Sequence, residues 1–186
     1  MIQADLQEFF SSGKFACSGS TATPARERKL MYRLGRAITL LGGVIVTGHS
    51  TAADLAFEAG AIEGDPSNLV ICLPWLGFGS KQALHPQAKL IVFQALDPAL
   101  QQLCYRQAAA THSAWDLCTP GAKLFYGRNV LLGDEAKLGI TYSYPGLEHF
   151  LTKNGCPYAD LFKPETFQEW NGFSETLETL VRLKLG

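Results

Sequence analysis

Two short stretches hold the residue types from which a binding site could be built: "CSGSTATP" at residues 17–24 and "TGHSTAAD" at residues 47–54. In the first, Gly19 lets the chain turn tightly, while Ser18, Ser20, Thr21 and Thr23 offer hydroxyls and main-chain N–H groups to an anion. In the second, Gly48, His49, Ser50 and Thr51 stand just before a helix-like segment, and Asp54 falls in its first turn. Ordinary connections also use these residues, since Ser and Thr cap helices and Gly turns corners. Two such loops at adjacent strand ends favour a phosphate or sugar site. Neither is a G-x-G-x-x-G fingerprint or a G-x-x-x-x-G-K-[ST] loop, so the sequence supports neither a dinucleotide oxidoreductase nor a P-loop NTPase. His49 reads as a loop residue touching ligand or water rather than a base, because no partner for it is identifiable. His85, His112 and His149 have no spacing with Cys or acids that suggests zinc, and neither a metal nor a cofactor is expected.

The loops depend on the elements around them. "KFAC", "VIVT" and "NLVICLP" are short apolar runs of strand length, and "TATPARERKLMYRLGRAITLLGG" and "TAADLAFEAGAIEG" are helix-like. The first helix is opened by Thr23, with Pro24 as its first helical residue. Alternation of this kind indicates βαβ crossovers and a parallel sheet covered on both faces. A ligand would then lie beyond the carboxyl ends of the strands, where helix N-termini point outward. Further on, "KLIVFQAL" is a fourth strand, and "DPALQQLCYRQAAATHSAWDLC" a long helix with Asp97 as N-cap. "GAKLFYGRNVLLG" is a turn with a short helix, "KLGITYSYP" a strand, "GLEHFLTKNG" a helix, "CPYADLF" a last strand and "SETLETLVRLKL" a C-terminal helix. Trp115 is read as core packing before base stacking. The expected architecture is a Rossmann-like three-layer α/β/α domain spanning residues 1–186, with a mainly parallel sheet.

Composition sets limits. The chain has 186 residues, 47% apolar and 18% charged, which suits one globular domain with a substantial core. A formal charge of −1 provides no global attraction to nucleic acid or anionic membrane, so such binding needs a local basic patch. Arg26, Lys29, Arg33 and Arg36 recur at helical spacing and form either a solvated face or a phosphate-contacting stripe. Five cysteines without a C-x-x-C pair read as reduced thiols. No secretory signal and no apolar run of roughly 18 residues is present, so a cytoplasmic protein without a membrane anchor is expected.

A strand ending in "SGS", a helix, and then "GGVIVTGHSTAADLAFEAGAIEG" resemble the DprA/LOG-like (SLOG) superfamily, in which two such loops flank a nucleotide-binding pocket. The later "LFYGRNVLLG" is similar to an "RN" element of compact, phage-type DprA-like proteins. The likeness covers roughly residues 14–135. Position by position, the resemblance matches Gly19 and Ser20 to the first loop, Gly48, Ala53 and Asp54 to the second, and Arg128 and Asn129 to the third, which implies a ligand-facing place for them. Arg128 would be the phosphate partner, since its always-charged fork matches an anionic oxygen pair. Thr21 replaces the Arg expected after "GS", and His49 and Ser50 stand where small residues are usual. The superfamily's "PGGxGTxxE" phosphoribohydrolase motif is reduced to "YPGLEHF" at residues 144–150, which leaves Glu148 as the one candidate catalytic residue.

These features favour a protein that senses or sequesters a nucleotide or an ADP-ribose-type signal, in a phage or defence setting. A single-stranded DNA-binding recombination protein and a nucleotide N-glycosidase are the alternatives. Pairing into a homo-oligomer, through a surface such as that around Trp75 and Phe78, is also expected.

Overall fold

The structure is a computed structural model that describes residues 8–163 except 51 and 80. Six strands form one sheet: β1 (Lys14–Cys17), β2 (Val44–Thr47), β3 (Leu69–Leu73), β4 (Lys89–Val92), β5 (Ala136–Thr141) and β6 (Tyr158–Asp160). Every pairing is parallel, in the order β4-β3-β2-β1-β5-β6. The helices are α1 (Ala25–Leu40), α2 (Ala52–Gly64), α3 (Pro98–Thr111), α4 (Pro120–Gly133) and α5 (Pro145–Lys153). This is the Rossmann-like three-layer arrangement, with a sheet wholly rather than mainly parallel among the described residues.

Period-two burial on both faces explains the apolar strands. Phe15 and Cys17 point into the cluster with Met31, Leu34 and Ile38 of α1 and with Ala53 and Phe57 of α2. Ala16 and Val46 point the other way, toward Leu132 of α4 and Leu147 and Leu151 of α5. The chain moves outward from β1 to β4 and then returns to β5 on the opposite side of β1. That reversal opens a crevice beyond the carboxyl ends of β1 and β5, where ligands of parallel sheets sit.

The close crossing of α1 and α2 sets the position of the second loop. A Cβ added at Gly60 would overlap the Tyr32 carbonyl, and one at Gly35 would overlap the Phe57 carbonyl. Thr39 Oγ1 donates to the Gly35 carbonyl (3.0 Å) and accepts from Asp65 N (3.2 Å), tying the two helices at their ends. The Gly60→Ala variant is expected to lower stability by about 1–3 kcal/mol through overpacking. Helix propensity alone predicts a gain of roughly 1 kcal/mol, so the sign of the change in a urea titration decides whether backbone contact governs this crossing.

Three element boundaries differ from the sequence reading. Pro24 occupies the N-cap of α1 instead of its first turn, and Thr23 turns back to donate to the Ser20 carbonyl (2.6 Å). The helix opened by Asp97, whose carboxylate accepts from Ala99 N, stops at Thr111, and Trp115–Leu117 form a separate 3-10 turn. The following segment is a full helix of 14 residues, capped by Thr119, instead of a turn with a short helix. The C-terminal helix expected at "SETLETLVRLKL" lies outside the described residues.

Candidate functional site

Asp54 joins the two loops. It is fully buried; Oδ1 accepts from Ser18 Oγ (2.6 Å), and Oδ2 accepts from Ser50 N (2.9 Å) and Ser50 Oγ (2.7 Å). From the first turn of its helix, Asp54 thus holds main-chain and hydroxyl donors of both loops. Gly19 lies close beneath: a Cβ there would meet Ala53 Cβ at 2.8 Å. The first loop also runs alongside β5, with Ser18 N donating to the Ile140 carbonyl and Ser20 N to the Tyr142 carbonyl. Both loops are therefore braced around the crevice between β1 and β5. Thr21 is exposed at its outer edge, and Thr51 lies outside the described residues.

Arg128 enters from α4 and is fully buried. A Cβ at Gly48 would overlap its Nη1, so this glycine is what gives the guanidinium its place. Phe125 stacks against it, 4.4 Å from ring centroid to Cζ. Among the described residues, none of Nε, Nη1 and Nη2 has a hydrogen-bond partner, and neither has Oδ1 of the adjacent, buried Asn129. Asn129 Nδ2 donates to the Tyr144 hydroxyl (3.3 Å). Two thiols lie close by. Burial, reinforced by Asp54, holds the Cys17 thiol well above its usual range, and burial pushes Cys72 up to about 12 despite the charge of Arg128. Both stay protonated at neutral pH and offer no thiolate nucleophile.

Glu148, the candidate catalytic acid, is buried at the start of α5. Its Oε1 accepts from Tyr144 N (2.8 Å) and Thr141 Oγ1 (2.9 Å). In this position it braces the helix start, in the manner of a capping residue reaching back to the N-cap N–H.

His49 has a partner that the sequence reading missed. It adopts a left-handed φ of 54°, and its buried ring places Nδ1 2.6 Å from Oε2 of Glu58, itself buried. Glu58 follows Asp54 by four residues, so these two of the helix's three acids share one inward face, while Glu63 lies toward Arg36. That spacing was the available signal. The Glu58 contact raises the His49 pKa above its ordinary 6.5, against the opposing effect of burial, and burial raises the Glu58 carboxyl despite its contact with His49. Both groups thus bind protons more tightly folded than unfolded, and their contribution to stability is lost as pH rises through the raised values. The unfolding midpoint should fall as pH rises above 6.5, and less steeply in His49→Gln; parallel slopes in urea titrations of the two proteins would contradict the assignment.

Other predicted features fall elsewhere. Phe78 packs against Trp75 (5.0 Å between centroids) and Phe125 (6.2 Å), and Leu76 is the exposed apolar side chain between Trp75 and Phe78. Trp115 is half-buried and packs against Tyr105 at 5.9 Å, at the edge of a core cluster. All five cysteines are free thiols. Among the described residues no His, Cys, Asp and Glu cluster could hold a metal, and no helix is long and apolar enough to cross a membrane.

No protein-family model matches the sequence, and no curated protein resembles it. Among solved structures, the chain is similar to DNA processing protein A from Helicobacter pylori, described for its unique single-stranded DNA binding mode. The two share 13% identity and a TM-score of 0.49, over 93% of this chain and 76% of that one.

Proposed function

We propose that this chain binds a nucleotide-class ligand through its phosphate, which enters the crevice between the loops at residues 18–21 and 48–51 and pairs with Arg128. The observation that carries this reading is the buried guanidinium with no hydrogen-bonded acceptor among the described residues. Desolvating such a cation costs several kcal/mol, whereas stacking on Phe125 returns only about 0.5–2 kcal/mol. An anion reaching the fork balances the account, and phosphate matches it in charge and geometry. Asn129 Oδ1, also unpartnered, is an acceptor for a ligand hydroxyl or amino group. A signalling nucleotide or an ADP-ribose derivative offers both chemistries.

A second reading is single-stranded DNA binding, in which the phosphate belongs to a polymer. It is favoured by the face of α1 that starts at the first loop: Arg26, Arg28 and Lys29 are exposed and Arg33 is half-buried, and none forms an ion pair among the described residues. Arg36, further along, pairs with Glu63 at 3.0 Å.

One titration series separates the readings. Thermal unfolding is followed with mononucleotides, cyclic dinucleotides, ADP-ribose and a 20-nucleotide oligo-dT, the last also by fluorescence anisotropy across a salt series. A free nucleotide ligand raises the midpoint with little salt dependence. For DNA binding, replacing Arg26, Lys29 and Arg33 together should make the log–log salt slope shallower by about 2. No shift with any nucleotide and no oligonucleotide binding at low salt would remove both readings.

A further inference from the structure

A cavity of about 320 Å³ is lined by His49, Ser50, Leu55, Gly79, Lys81 and Gln82. Its size is at the lower end of small-molecule sites. His49 borders it with the ring edge opposite the Glu58 contact: a Cβ at Gly79 would meet His49 Cδ2 at 2.6 Å and Nε2 at 3.3 Å. Nε2 is buried and has no hydrogen-bond partner among the described residues, although the Gln82 main chain is near enough to favour a proton on the ring. His49 holds its left-handed backbone without being glycine, a strain that persists where surrounding contacts over-determine it. Here those contacts are the 2.6 Å bond to Glu58 and the bonds of Ser50 to Asp54.

We propose that this cavity is an oxyanion subsite in which His49, oriented by Glu58, presents Nε2–H to a phosphate or similar anionic group, with Lys81 as a second cation at the rim. Glu58 is a positioning residue: by accepting from Nδ1–H it leaves Nε2 to face the cavity, and it favours the imidazolium that donates there. The charged groups facing His49 are Glu58 and Asp54 from α2, Lys81 from the loop beyond β3, and Arg128 from α4 behind Gly48. Asp54 opposes an incoming anion, but its oxygens are engaged by Ser18 and Ser50. Leu55 leaves room for an apolar portion of the ligand. The inference rests on the reading of the 48–51 loop as ligand-facing, and does not require Arg128 to hold the same anion.

The test uses the full chain labelled with ¹⁵N-histidine, with His49→Gln identifying the resonance, and sulfate as the probe because it stays a dianion across the range. Sulfate is titrated against chloride at constant ionic strength at pH 6.0 and 8.5. A saturable movement of the His49 ring signals is expected at pH 6.0, with affinity about tenfold lower at pH 8.5. In Glu58→Gln the ring should titrate at lower pH and lose most of its sulfate response near pH 6.5. Arg128→Met should keep the His49 response even if nucleotide binding is gone, which separates failure of this subsite from failure of the Arg128 reading. Should Glu58→Gln not fold, Lys81→Gln at the rim supplies the measurement, with at least a threefold weaker sulfate response expected. The inference is overturned by an unresponsive His49 at pH 6.0, by a response unchanged in Glu58→Gln or Lys81→Gln, or by one that disappears in Arg128→Met.

Discussion

Arg128→Met is expected to leave the ligand-free protein as stable as the parent or more so, while removing most of the stabilisation that a nucleotide ligand confers. The opposite signs follow from one geometry. Without ligand, the guanidinium is buried against Gly48 and Phe125 with no nitrogen partnered among the described residues, so replacing it removes a desolvation penalty. Methionine retains an unbranched apolar stem and a soft contact with the Phe125 ring, which limits the cavity left behind. With phosphate present the same change deletes charge-assisted hydrogen bonds worth about 1.5–3 kcal/mol, equivalent to roughly 10- to 150-fold in Kd. Arg128→Lys keeps the charge but not the fork, and belongs between the two. The measurement is the urea midpoint with and without the best nucleotide from the thermal screen. A ligand-free Arg128→Met protein more than about 2 kcal/mol less stable than the parent would show that the chain itself supplies the counter-charge, and the phosphate reading would lose its support.

The strands were legible because both faces of the sheet are covered. Phe15, Ala16 and Cys17 are all buried, which turns the expected alternation into a continuous apolar run. The same principle concealed α4: "PGAKLFYGRNVLLG" packs on several sides, carries two internal glycines and has no polar stripe, so the 3.6-residue period is absent. For α3 the Asp97-Pro98 start was readable, but the alanine-rich run gave no stop signal before Thr111. At the site, Ser18, Ser50 and Asp54 stood out as polar residues at strand ends, and they do meet. Two facts lay beyond a linear reading. One is that Gly48 clears the space for Arg128, 80 positions away in the chain, which is a property of the packing. The other is that Glu58 serves His49. Its i+4 relation to Asp54 marked a shared face, but not the loop residue that would bend back to reach it.

Asp54→Ala is expected to carry the largest stability cost in the site, about 3–5 kcal/mol. At least three hydrogen bonds to a fully buried carboxylate are lost, and Ser18 Oγ, Ser50 Oγ and Ser50 N are left with donors to satisfy. Each bond to a charged acceptor is worth about 1.5–3 kcal/mol, offset in part because a charge no longer has to be kept out of water. For a chain of this length the change corresponds to roughly 6–20 °C in Tm. Asp54→Asn preserves shape and one acceptor oxygen but turns an N–H₂ group toward the other donors, so it should lose less stability and still loosen the loops. Because the carboxylate links the 18–21 loop to the 48–51 loop, the Asn variant should remain folded at 25 °C and bind nucleotide more weakly. Ser18→Ala and Ser50→Ala should each show a smaller part of that loss. In a double-mutant cycle, pairing Asp54→Asn with Ser18→Ala should cost less than the sum of the two, because both act on the same hydrogen bond. Full additivity, or an Asp54→Ala Tm within 2 °C of the parent, would mean that the two loops hold their positions without this carboxylate. The crevice beside Arg128 would then owe its shape to the sheet alone.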